Sequence, residues 1–187
     1  MSDKPPVQLA RYDNSDYCPG AGRAVRAVWF ILNEIIIRCR LNSFSGLRVA
    51  TLRAFGAKIG DGVVIKPGVS VKYPWNLSIG DHTWIGEGAW LDSLTTINIG
   101  ANCCISQGAY LCTGNHDWAD PAFGLVVKPI VIEDGAWVAA KAVVLPGVTL
   151  GDHSILTAGS VASKKTESYG IYRGNPAERV GERTIRG

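Results

Sequence analysis

No stretch of this chain is long and apolar enough to span a bilayer. The most apolar run, Ala27 to Ile37, falls short of the roughly 20 residues a spanning helix needs, and it contains Asn33 and Glu34. The start, Met1-Ser2-Asp3-Lys4-Pro5, does not read as a signal peptide. Cysteine is present five times, an odd number, and no spacing suggests a metal knuckle. A disulfide framework is therefore not expected, and a reducing cytoplasm is. Helical periodicity is missing after Ile59, because Gly and Pro interrupt every few residues, as at Pro67-Gly68 and Pro146-Gly147. The longer alternating strands of a sandwich of hairpins are missing too.

A six-residue period is there instead. Aliphatic side chains recur at Ile59, Ile65, Val71, Leu77, then Ile79, Ile85, Leu91, Ile97, then Ile99, Ile105, Leu111. They resume at Ile130, Ile132, Val138, Val144, Leu150 and Leu156. Four positions after almost every aliphatic that opens a hexapeptide comes a small residue, such as Ala89, Cys103, Ala109, Ala136 or Ala142; Trp75 is an exception. This is the signature of an all-β parallel β-helix, with a strand and turn per hexapeptide and three hexapeptides per triangular coil. Known hexapeptide repeats wind left-handed. Ile59 to Ile79 and Ile79 to Ile99 are each 20 residues, and Ile132 to Leu150 is 18. About five coils are expected over residues 59–163. Ile99 to Ile132 is 33 residues, so an inserted loop, residues 112–129, leaves coil three.

Charge is unevenly spread. Residues 21–58 carry seven basic side chains and one acid, Glu34, whereas residues 59–163 carry four basic and nine acidic. Residues 21–40 are predicted to form a helix with Val25, Val28, Trp29, Leu32, Ile35 and Ile36 on or near one face. A second helix is predicted from Ser45 to Phe55, ending at Gly56. This helical extension, 21–58, follows an N-terminal tail, 1–20, and is expected to cover the open first coil. Flanked by Arg23, Arg26, Arg38 and Arg40, it is also a candidate for peripheral membrane contact. The C-terminal tail, 164–187, is basic as well. Nothing here suggests nucleic-acid binding.

Three histidines remain to be placed. His82 and His153 fall in a slot that elsewhere holds Gly62, Asn102 and Gly135, which marks a turn corner. His116 lies in the inserted loop, within Thr113-Gly114-Asn115-His116-Asp117. Loops on a rigid scaffold carry function, and an imidazole there can take a proton from an attacking hydroxyl. A shared zinc site is not expected, because His82 and His153 stand three coils apart, roughly 14 Å along the axis, against zinc–nitrogen bonds of about 2.0–2.1 Å. Trp84, Trp90, Tyr110 and Trp137 fall at outward positions, where they suit a subunit face or a ligand wall.

These hexapeptides resemble the hexapeptide-repeat O-acetyltransferases, together with Thr113-Gly114-Asn115-His116-Asp117, Trp137-Val138-Ala139-Ala140, Ala158-Gly159-Ser160 and Gly174-Asn175-Pro176-Ala177. Phe55-Gly56-Ala57-Lys58-Ile59-Gly60 and Tyr73-Pro74-Trp75 bring the chain nearest to the group assigned to colanic-acid and exopolysaccharide biosynthesis. The resemblance implies a homotrimer with acetyl-CoA in a groove between neighbouring β-helices, His116 as general base, and no metal in the chemistry. It implies that Trp137 lines the pantetheine channel and that the backbone near Ala140 and Ala158 bonds its amides. Ser163 and Lys164 would contact the nucleotide end, and Arg179 the 3′-phosphate. The acceptor is implied to be a sugar or glycan, free or lipid-linked. Asn115, Asp117, Glu87 and Asp92 are candidates to hold it, and either Asp117 or a backbone carbonyl would orient the imidazole. The chain departs from the sugar acetyltransferases in two places. Their acceptor-binding helical segment is not recognisable, and their acceptor asparagine aligns near Gly86. A serine or antibiotic acetyltransferase on the same scaffold, or a nonenzymatic β-helix, are the alternatives.

Overall fold

A computed structural model describes residues 5–186. Met1 to Lys4 of the N-terminal tail, and Gly187, lie outside the described residues. The hexapeptides form three parallel sheets wrapped as a prism. The first face stacks Lys58–Ile59, Leu77–Ile79, Ile97–Ile99, Ile130–Ile132 and Thr149–Leu150. The second stacks Val64–Ile65, Trp84–Ile85, Cys104–Ile105, Trp137–Val138 and Ile155–Leu156, and the third Ser70–Val71, Trp90–Asp92, Tyr110–Cys112, Val143–Val144 and Val161–Ala162. Ile99 pairs directly with Ile132, so the insertion leaves the column of rungs unbroken.

The period fixes what is buried. Ile65, Ile85, Ile105, Val138 and Leu156 form one inward column, each at most 2% exposed. Fully burying one such side chain stabilises by about 1.5–3 kcal/mol. Ala89, Ala109 and Ala142 occupy the tight positions near the second corner, fully buried. At the first corner the shared slot has left-handed backbone throughout: Gly62, His82, Asn102, Gly135 and His153 all have φ between 54° and 66°. Gly and Asn suit that conformation, and the histidines there are turn residues.

An open coil would leave strand-edge backbone groups unpaired. Side chains from two helices, α1 (Arg23–Leu32) and α2 (Ser45–Ala54), and from the turn after α1, meet them. Arg53 donates to the Ile59 and Gly60 carbonyls, Ser45 Oγ accepts from Ile65 N–H, and Asn33 Oδ1 accepts from Val71 N–H. Trp29 Nε1 donates to the carbonyls of Val71 and Lys72. The helix expected over residues 21–40 is shorter: beyond Leu32 the chain widens into a π turn, Asn33–Ile37, in which Arg38 N–H reaches back to Asn33 O. That turn keeps both Asn33 and Ile37 buried.

The other end differs from a plain five-coil stack. Gly170–Gly174 adds a sixth parallel rung to the second face, pairing Ile171 with Ile155, and Ala177–Glu182 folds back on it antiparallel. Residues after Ser163 thus include a rung and a closing hairpin. No helix among the described residues is long and apolar enough to cross a membrane.

Candidate active site

The insertion leaves the third corner, after Tyr110–Cys112. Its root is fixed by Thr113, which is fully buried and donates through both Oγ1 and N–H to the Asp92 carbonyl, at 2.6 and 3.3 Å. From there Gly114–His116 pairs antiparallel with Leu125–Val127, and Lys128 N–H returns to Thr113 O. The loop is a β-hairpin, which carries His116 on a hydrogen-bonded arm.

The tip of the hairpin orients the imidazole. Asp120 accepts from Ala122 N–H and Gly124 N–H, and its carbonyl accepts from Phe123 N–H. This turn forces Phe123 to φ 61°, a strained value for a bulky residue. In that conformation the Phe123 carbonyl lies 2.8 Å from His116 Nδ1, and its ring stacks on the imidazole at 4.7 Å. A carbonyl only accepts, so Nδ1 carries the proton and Nε2 of the neutral ring has a free lone pair. Of the two candidates for orienting the ring, the backbone carbonyl does it. Asp117 instead accepts from Ala119 N–H within the turn, and Asn115 Oδ1 accepts from His116 N–H.

Two neighbours complete the surroundings. Tyr12, in the N-terminal segment, sets its ring edge-on to His116 at 5.8 Å, and Gln8 N–H donates to Pro121 O. Below the root, Asp92 is half-buried beside Tyr110, whose hydroxyl donates to it at 3.3 Å. Burial pushes the Asp92 carboxyl up, against the opposing pull of Tyr110 and Lys72. Burial first, then Cys112 and Asp92, push the Tyr110 hydroxyl up as well. Tyr110 stacks on Trp90 at 4.6 Å.

The remaining site residues stand elsewhere in the chain. Trp137 is on the second face, exposed, with Nε1 donating to Ser106 Oγ at 2.8 Å. Ala140 and Ala158 are at the second corner, where Gly159 N–H bonds the Ala140 carbonyl. Among the described residues, neither the Ala140 nor the Ala158 N–H donates to another protein group. Glu87 shares that corner, exposed, with Arg40 at 3.9 Å. Ser163 and Lys164 are exposed just past the last rung of the third face, and Arg179 on the closing hairpin pairs with Glu167 and Glu182. One chain therefore gathers His116, Asn115, Asp117 and Asp92 at the third corner, and keeps Trp137, Ala140, Ala158 and Glu87 on the second face and its corner. His82 and His153 sit at the first corner, and no cluster of three or more His, Cys, Asp or Glu able to hold a metal occurs among the described residues.

Sequence reasoning did not find Tyr12, Phe123 or Asp120. Only Asp120 carries a local signal, standing at the head of an Asp-Pro-Ala-Phe-Gly turn.

Comparison with known proteins fits this architecture. Residues 129–163 match the family "Bacterial transferase hexapeptide (six repeats)", and residues 76–112 match "Hexapeptide repeat of succinyl-transferase". The chain is 41% identical over 163 residues to "Putative colanic acid biosynthesis acetyltransferase WcaF" of Escherichia coli (strain K12), covering 87% of this chain and 90% of that one. Among solved structures, the hexapeptide-repeat acetyltransferase VCA0836 of Vibrio cholerae O1 biovar eltor, in complex with acetyl coenzyme A, superposes with TM-score 0.78 at 26% identity, over 85% of this chain and 87% of that one. A galactoside acetyltransferase in complex with coenzyme A gives TM-score 0.78 at 25% identity, over 90% and 84%. With its unbroken hexapeptide columns and that degree of identity along nearly its whole length, the chain belongs to the hexapeptide-repeat acetyltransferases and is an acyltransferase.

Proposed function

We propose that this enzyme moves an acetyl group from acetyl-CoA to a sugar hydroxyl in the making of an exopolysaccharide or other cell-surface polysaccharide, with His116 as general base. The observation that carries the proposal is the Nδ1–H bond to Phe123 O, which leaves Nε2 unprotonated on a projecting arm. The similarity to a protein named for colanic acid biosynthesis, and to a galactoside acetyltransferase, supports a sugar acceptor.

Acetyl-CoA supplies the acetyl thioester. Nε2 takes the hydroxyl proton as the sugar oxygen attacks the thioester carbon. The Phe123 carbonyl keeps hold of the Nδ1 proton and steadies the cation that forms. Backbone N–H groups take the negative charge that develops on the carbonyl oxygen. Nε2–H then returns its proton to the departing thiolate, so no covalent enzyme intermediate is needed.

The residues present fit the cosubstrate. The free Ala140 and Ala158 N–H groups stand beside Trp137, and Ser163, Lys164 and Arg179 supply polar and cationic contacts for the nucleotide end. These groups and His116 occupy different corners of one prism. Side-by-side packing of three copies, with the symmetry axis along the coils, brings the third corner of one copy to the second corner of the next. The homotrimer thus completes the site, and Glu87 of one copy joins Asn115, Asp117 and Asp92 of another around the acceptor. The five cysteines stay thiols in a reducing cytoplasm.

The test is CoA release by native chain and His116→Ala, screened over nucleotide sugars and lipid-linked oligosaccharides. Loss of about 10²–10⁴ in rate is expected. Full activity in a folded His116→Ala trimer would refute the assignment of the base.

A further inference from the structure

We propose that the outer face of α1 docks the enzyme on an anionic lipid bilayer. The inner side of α1 and of the turn after it is spent on the first coil, where Trp29, Asn33 and Ile37 are buried. The opposite side of a surface helix is ordinarily polar. Here it presents Val28, Ile31 and Ile35, which are 49%, 57% and 60% exposed. Phe30, Leu41 and Phe44 of the same capping segment are exposed as well.

Charge selects the occupant. The segment carries seven basic side chains against one acid. Arg38 holds that acid, Glu34, at 2.5 Å, Arg40 lies 3.9 Å from Glu87, and Arg53 is spent on the coil edge and Asp61. Arg23 and Lys58 are exposed with no carboxylate paired to them among the described residues. A second copy placed symmetrically on this face would set arginines against the same arginines, with no free carboxylate between them. An anionic bilayer offers hydrocarbon to the isoleucines and phosphates to the arginines together. Beside the face, Arg26 and Lys72 line a cavity of about 310 Å³ with Trp29, Tyr73 and Trp90. Arg26 Nε is buried there without a hydrogen-bond partner. Because α1 covers the end of the prism, copies related by an axis along the coils would turn all their faces to one plane, and their attachments would reinforce one another.

The experiment is sedimentation of the full chain with phosphatidylcholine vesicles, with and without one-third phosphatidylglycerol. Binding to the anionic vesicles at least tenfold tighter, and weakening with salt, is expected. Ile31→Asp with Ile35→Asp should cut it at least tenfold, and Arg23→Glu roughly fivefold, near the contribution of one basic side chain. Both should melt like the native chain. Equal or absent binding to the two vesicle types overturns the proposal, as does full binding by either variant. So does Ile31→Asp dissociating the native assembly, which would make the face a contact between copies. Vesicle binding needs no acetyl-CoA, so the outcome is separate from that of the acyl-transfer reading.

Discussion

Leu111 and His116 are five residues apart and are held by different means. Leu111 is fully buried, with Leu91 below it and Val144 above, in a column where each rung repeats the last. Removing one contact there leaves many others in place. His116 is oriented by one carbonyl, from a residue in strained backbone, secured in turn by one carboxylate. In the coils, rigidity is shared among equivalent neighbours; on the hairpin it rests on a few bonds, any of which can be lost alone. Stability and activity should therefore come apart under mutation.

The sharpest way to break this comparison is to exchange the two effects. His116→Ala should lose about 10²–10⁴ in CoA-release rate, equivalent to about 2.7–5.4 kcal/mol of transition-state stabilisation, with an unchanged melting temperature. Leu111→Ala should lose about 2–5 kcal/mol of stability, read by denaturant unfolding, with near-native rate per folded molecule. If Leu111→Ala silenced a fully folded enzyme, the division would fail.

Within the coils, two glycines separate backbone strain from crowding. Gly88 has φ 68° and open space around the position an added Cβ would take, so Gly88→Ala should cost only the left-handed penalty, about 1–2 kcal/mol. Gly135 has φ 66° and lies under His153, whose Nδ1 would be 1.9 Å from an added Cβ. Gly135→Ala should therefore cost more than Gly88→Ala, because His153 must also leave the Asp134 carbonyl and the Tyr169 ring. Equal melting temperatures would show that the stacked corner gives way freely.

On the hairpin, Asp120→Ala removes the acceptor for Ala122 and Gly124 and should lower kcat about tenfold, or 1.4 kcal/mol, with little change in melting. Asp120→Asn keeps an acceptor and should recover part of the rate. A purely structural role would give equal losses in both variants.

The smallest effect concerns Asp92. Burial raises its folded pKa, so the native state holds a proton that the unfolded state releases. Its contribution is therefore to lower stability as pH rises above the ordinary carboxylate range. Asp92→Asn should melt slightly higher than the native chain at neutral pH and converge with it in acid.

How much of this was legible follows from what repeats. The aliphatic period gave the three faces and the unbroken column across the insertion. A slot shared by Gly62, His82, Asn102, Gly135 and His153 identified a corner, and all five have left-handed backbone. Nothing periodic announced Tyr12 beside His116, since that contact joins segments about a hundred residues apart through irregular chain. The sixth rung was missed because Gly170–Gly174 carries Ile171 and Tyr172 outside the hexapeptide spacing. The cap was expected from the need to cover the first coil, but its hydrogen bonds depend on where Trp29, Asn33, Ser45 and Arg53 meet the open edge.

Each rung of a prism such as this is a template for one more, and the repeat contains no instruction to stop. The antiparallel strand Ala177–Glu182 supplies it at the far end, where Glu178, Arg179 and Glu182 line a border that no parallel hexapeptide can extend. Trimming the chain at Ser163 would expose a bare terminal coil at that end alone, since α1 and α2 still cover the other, and molecules so shortened should associate bare end to bare end rather than grow into filaments. An extra twenty-residue coil spliced between the two ends should instead yield a taller, equally soluble particle.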